Sequence, residues 1–164
     1  MPRGRQLRVR SPGKNQKTTV FGAWCYGRGL FLHHTQPRKT AWGWRMLLQK
    51  LVSRARRTGR KIILVMDSGN PHHAKVVRDD LQNVRAHVMA FWLPHYSPEL
   101  NLIEILWRHL KRAKMANVLF SSHQQFTGYL IAALEDFAHR PDLTLKLLQP
   151  SRTIPNRKQL RRAT

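Results

Sequence analysis

The apolar residues of this chain follow two kinds of spacing, and the changes between them outline its elements. Thr18 to Tyr26 (TTVFGAWCY) mixes β-branched and aromatic residues, Gly27-Arg28-Gly29 is a turn signal, and Leu30 to Thr35 (LFLHHT) has strand texture again. That pattern predicts a β-hairpin. From Thr40 to Arg57 the period becomes helical: Trp44, Leu47, Leu48, Leu51 and Val52 form a stripe, the basic residues mostly fall elsewhere, and Thr58-Gly59 ends it. Lys61 to Met66 (KIILVM) is a short continuous apolar run of the kind found in a buried parallel strand. Asn70 and Pro71 suit a helix cap and first turn, so a short helix is predicted from His72 to about Gln82. Ala86 to Leu93 (AHVMAFWL) is a second buried strand, closed by Pro94. Helices follow over Leu102 to about Lys114 and Ser122 to His139, with a further turn or two over Asp142 to Leu148. The order predicts an α/β sheet with antiparallel early strands and parallel later ones.

Composition narrows the class. At 164 residues with 41% apolar content the chain is long enough for one domain with a real core. Thirty Lys and Arg against eight Asp and Glu give a formal charge of +22, a field that selects polyanions, nucleic acid first among them. A ribosome-associated or generally adhesive basic protein is the plainer alternative. Cys25 is the only cysteine, which excludes an intrachain disulfide and a cysteine-rich zinc site. The longest apolar runs are too short to span a bilayer, and Met1 to Lys17 lacks the apolar core of a secretory signal. The expectation is a soluble, cytoplasmic protein, nucleoid-associated when bound to DNA.

The carboxylates are unevenly placed: none precedes Asp67. Asp67 directly follows a predicted strand, a position where a side chain is held rigidly at the mouth of a crevice; its plainer role is to cap the turn before Pro71. Glu104 lies beyond 36 intervening residues, and Asn101 with Glu104 three positions later resembles a capping box, with the acid also favoured by the helix dipole. Glu104, Trp107 and Lys111 share one helical face, beside an apolar face of Ile103, Leu106 and Leu110. The adjacent pairs His33-His34 and His72-His73 make poor chelates, since strand neighbours face opposite ways. No Gly-rich phosphate loop or nucleophile triad is present, and the aromatic residues suit core packing better than a base-stacking platform.

Asp67-Ser68-Gly69-Asn70-Pro71-His72 after KIILVM, and Leu93-Pro94-His95-Tyr96-Ser97-Pro98-Glu99-Leu100-Asn101-Leu102-Ile103-Glu104 with Trp107 and Lys111, resemble the second and third acid motifs of DDE transposases. The nearest type is the bacterial insertion-sequence branch of the mariner superfamily, and Lys17 to Ala23 (KTTVFGA) resembles its second-strand region. The resemblance implies a ribonuclease-H-like mixed sheet flanked by helices, in which three acids hold two Mg2+ (or Mn2+) ions for attack on a phosphodiester. By position Asp67 is the second acid and Glu104 the third, both catalytic and metal-binding, with His72, Lys111 and Trp107 as supporting or DNA-contacting residues. Ser68, His95 and Leu102 depart mildly from the family pattern. The larger departure is that the family's first strand, with its Asp, is lacking; Asp79 and Asp80 lie on the helix after the second acid and do not replace it.

Three regions are expected: a basic flexible arm over 1–17, a partial ribonuclease-H-like catalytic domain over 18–120, and a C-terminal helix with a basic tail over 121–164. Two functions fit. One is an N-terminally truncated fragment of an insertion-sequence transposase, acting on transposon ends and target DNA and inactive alone, with an upstream transposase polypeptide or a second copy as partner. The other is a non-catalytic basic DNA-binding protein that modulates a full-length relative. With two acids, one weak ion site completed by DNA phosphate is conceivable and a paired-ion mechanism is not. A sheet without its central strand should also be marginally stable or prone to aggregate.

Overall fold

The computed structural model describes residues 16–25, 27–67, 75–95, 100–116 and 118–148. Strands β1 (Thr19–Cys25) and β2 (Leu30–Gln36) pair antiparallel from Thr19 opposite Gln36 to Cys25 opposite Leu30. Gly27 and Gly29 take positive φ in the connection, the conformation that glycine supplies without a Cβ penalty. Helix α1 (Ala41–Thr58) ends at Gly59, whose φ of 63° lets its N–H return to the Arg56 carbonyl. Strand β3 (Ile62–Met66), helix α2 (Lys75–Asn83) and strand β4 (Val88–Trp92) follow, and β3 pairs parallel with β4, Ile62 opposite Val88 through Met66 opposite Trp92. Helix α3 (Ile103–His109) runs into a π-helical turn over Leu110–Met115, then come α4 (His123–His139) and α5 (Pro141–Leu148).

The hairpin is a wall between two cores. On one side, Phe21, Ala23 and Leu32 pack against Trp44, Leu47, Leu48 and Leu51 of α1, together with Met66, Val77, Leu81 and Val88. On the other, Phe31, Val20 and Trp24 pack against Leu106, Leu110, Leu130, Leu134 and Phe137. The α4 start is fixed by a reciprocal cap: Ser122 Oγ accepts from the Gln125 N–H at 3.1 Å while Gln125 Oε1 accepts from the Ser121 N–H at 2.7 Å. Thr144, fully buried on α5, donates its hydroxyl to the Gly29 carbonyl and ties the last helix to the hairpin turn.

Two expectations change. The strands form two separate two-stranded sheets rather than one mixed sheet: among the described residues no strand of the hairpin is hydrogen-bonded to β3 or β4. The parallel strands are also buried on one face only. Ile62, Leu64, Val88, Ala90 and Trp92 face α1 and α2, whereas Ile63, Val65, Met89 and Phe91 are 48–64% exposed. A continuous apolar run signals cover on both faces, and here only the helix side of the pair is covered by described residues.

Candidate functional site

Asp67 follows β3 immediately, at the carboxyl end of the parallel pair. There Leu93, just after β4, donates its N–H to the Met66 carbonyl at 2.8 Å and fixes the backbone one residue before Asp67. The Asn101 side-chain amide donates to Asp67 Oδ2 at 3.3 Å. Asn101 sits at the entry to α3, its carbonyl accepting the Glu104 N–H at 3.0 Å, so Asp67 is linked through one residue to the first turn that carries Glu104. Glu104 is exposed and engages no side chain among the described residues.

Asn101 differs from expectation in an informative way. A capping box would direct its side chain to the α3 backbone, but the cap position is Leu102, which is αR and makes no side-chain cap. Asn101 instead spends its amide on Asp67. The sequence signal was ambiguous because a helix-start asparagine and an asparagine bridging to a neighbouring strand end look alike in one dimension.

The other expected site residues separate. Trp107 is half-buried against β1: a Cβ on Gly22 would collide with its ring, and Phe31 meets it edge-on at 5.7 Å between centroids. Lys111 lies exposed on the π-helical turn. His72, with the Asn70-Pro71 cap, lies outside the described residues.

Three of the other acids are occupied. Asp80 accepts from Arg45 Nε at 2.9 Å, joining α2 to α1. Asp136 pairs with Lys114 at 3.2 Å and Arg140 at 3.6 Å, and the Lys114 hydrogen bond holds its carboxyl below the usual range. Glu135 faces the buried His33 at 3.3 Å and His139 at 3.7 Å. Asp79 and Asp142 are exposed on α2 and at the start of α5. The carboxylates of Asp67 and Glu104 are hard oxygen donors of the kind that Mg2+ or Mn2+ prefers. Among the described residues no group of three or more His, Cys, Asp or Glu side chains converges as a metal site would require, so the described residues alone do not complete an ion site.

Residues 1–127, more than three quarters of the chain, match the family described as DDE superfamily endonuclease. The chain belongs to that family. The fold is also similar to that of solved structures. The Mos1 mariner paired-end complex with manganese superposes with a TM-score of 0.56 at 16% identity, over 87% of this chain and 47% of that one. The Mos1 transposase catalytic domain with raltegravir and magnesium gives 0.51 at 18% identity, over 80% of this chain and 75% of that one. The chain therefore spans about half the length of the Mos1 polypeptide in the paired-end complex, and its fold is ribonuclease-H-like. Among curated proteins no relative matches it. No helix among its described residues is long and apolar enough to cross a membrane.

Proposed function

We propose that this DDE endonuclease chain is part of an insertion-sequence transposase of the mariner type, acting on DNA through a site that includes Asp67 and Glu104. The observation that carries the reading is the Asp67–Asn101 hydrogen bond, which links the end of β3 to the first turn of α3. In that arrangement Asp67 and Glu104 are the side chains that would hold a divalent ion, and Asn101 orients Asp67 by donating to one of its two oxygens. A bound Mg2+ or Mn2+ supplies Lewis acidity and lowers the pKa of a water. The protein's own contribution is to bring a chain of phosphates to those acids, which a charge of +22 favours.

The acid count limits the activity. The sequence holds no Asp or Glu before Asp67, and Asp79 and Asp80 lie on α2, with Asp80 committed to Arg45. A third ligand would then come from residues preceding these 164, from a further polypeptide, from a second copy or from the DNA phosphate itself, and cleavage by these 164 residues alone is expected to be absent. The same deficit supports a second reading: a DNA-binding regulator of a full-length relative.

Supercoiled plasmid incubated with the protein and Mn2+ or Mg2+ tests both readings. The expected outcome is salt-sensitive binding without nicking, with binding unaffected by Asp67→Ala or Glu104→Ala. Metal-dependent nicking lost in both variants would reject the regulator and show that two acids suffice. Nicking that persists in both would remove Asp67 and Glu104 from the site.

A further inference from the structure

The parallel pair has two ends, and they carry opposite chemistry. Because β3 and β4 run in the same direction, the connection entering β3 and the connection entering β4 lie together at the end away from Asp67. The register joins them: Ile62 is opposite Val88, and the Ile62 N–H donates to the His87 carbonyl at 2.8 Å. At this end Arg60 and Lys61 precede β3, Arg85 and His87 lie in the turn before β4, and Arg56 on the last turn of α1 donates to His87 Nε2 at 3.3 Å. The arginines and Lys61 are exposed, and none of the four meets a carboxylate among the described residues.

A structural role accounts for only part of this cluster. Arg56 complements the negative end of the α1 dipole. Arg60 and Arg85 follow the ends of α1 and α2, where the same dipole modestly favours an exposed cation, but that preference neutralises no charge and leaves Lys61 without a helix end of its own. Elsewhere the protein joins elements with ion pairs, Arg45 to Asp80 and Lys114 to Asp136, and here it leaves four cations unneutralised around two strand starts. Their mutual repulsion is relieved by a polyanion.

We infer that this end of the sheet is a second phosphate-contacting surface for duplex DNA, separate from the Asp67 end. The inference rests on the reading of the protein as DNA-acting and adds where the duplex is held. Five-residue strands separate the two ends by about 17 Å at ~3.3 Å per residue. B-DNA presents about ten phosphate charges over that length, one per ~1.7 Å of axis, so one duplex lying along the strands reaches both ends. Contacts of this kind position the duplex and carry no sequence preference.

The test is the salt dependence of binding to a fluorescent duplex, measured with the full chain and with two triple variants. Replacing Arg60, Lys61 and Arg85 with Gln should lower the slope of log affinity against log salt by about 2 to 3, at ~0.9 for each phosphate no longer neutralised. The charge-keeping variant, Arg60→Lys with Arg85→Lys and Lys61→Arg, should retain the wild-type slope, which separates charge from altered folding. All three positions are exposed. Single Arg60→Gln and Arg85→Gln variants, each expected to lower the slope by about 1, serve if the triple fails to fold. A wild-type slope that the Gln variants leave unchanged overturns this inference alone. Absence of duplex binding by the wild-type chain overturns it together with the DNA reading.

Discussion

Gly29 occupies the hairpin turn at a φ of 65°, and any Cβ placed there would run into the Pro141 carbonyl and the Leu145 side chain. Two costs therefore coincide: a left-handed backbone that L residues rarely adopt, and disruption of the close approach that lets Thr144 reach the Gly29 carbonyl. Gly29→Ala is expected to destabilise the protein by at least ~1–3 kcal/mol, read as a lower urea midpoint, whereas Gly27→Ala, with open space around it, should lose only the backbone part. His33 is the second residue whose surroundings decide its behaviour. Its Nε2 faces Glu135 at 3.3 Å, but its Nδ1 is buried without a hydrogen-bond partner, so a second proton would have no acceptor. Burial lowers its pKa below the ordinary 6.5, with Lys50 and His34 adding to the effect and Glu135 opposing it. The folded state then binds fewer protons than the unfolded one, and stability present above pH 6.5 is lost as the pH falls through and below that value. The melting temperature should drop between about pH 7.5 and pH 5.5, and His33→Gln should flatten that drop. A melting temperature constant across this range in the unsubstituted protein would contradict the assignment.

Among the elements, the outer face of the parallel pair has the clearest consequence. Ile63, Val65, Met89 and Phe91 present a contiguous apolar surface on two neighbouring strands. Patches of this kind on a strand pair promote association between molecules. Val65→Thr with Phe91→Thr keeps β-propensity while removing apolar area. It should raise the temperature at which light scattering begins, with little change in thermal stability, because neither side chain belongs to the core. This face also marks the limit of what patterning conveys. The helical stripe of α1, the hairpin turn at Gly27 to Gly29 and the strand ending at Asp67 were all legible, since each depends on local spacing and turn chemistry. KIILVM and AHVMAFWL announce strands with two apolar faces, but not whether both faces find cover, because cover comes from distant segments. The same distinction applies at the candidate site: Asp67 and Glu104 were singled out through a resemblance, while the Asn101–Asp67 hydrogen bond required knowing that the start of α3 lies beside the end of β3.

For the molecule as a whole, the division into two cores bears on how the acids are held. Met66, next to Asp67, is packed in the core under α1 and α2; Ile103 and Leu106, flanking Glu104, are packed in the core formed with α4. No strand-to-strand ladder joins the two sheets among the described residues, so their relative placement rests on side chains of the hairpin and α1 and on few polar links such as Asp67 to Asn101. The two carboxylates thus belong to different halves. A cation gripped by both would act as a rivet across the seam: the halves could not drift apart without releasing it, and its affinity would be subtracted from the ease of their separation. In such a design the geometry at the phosphate and the cohesion of the protein rise and fall together.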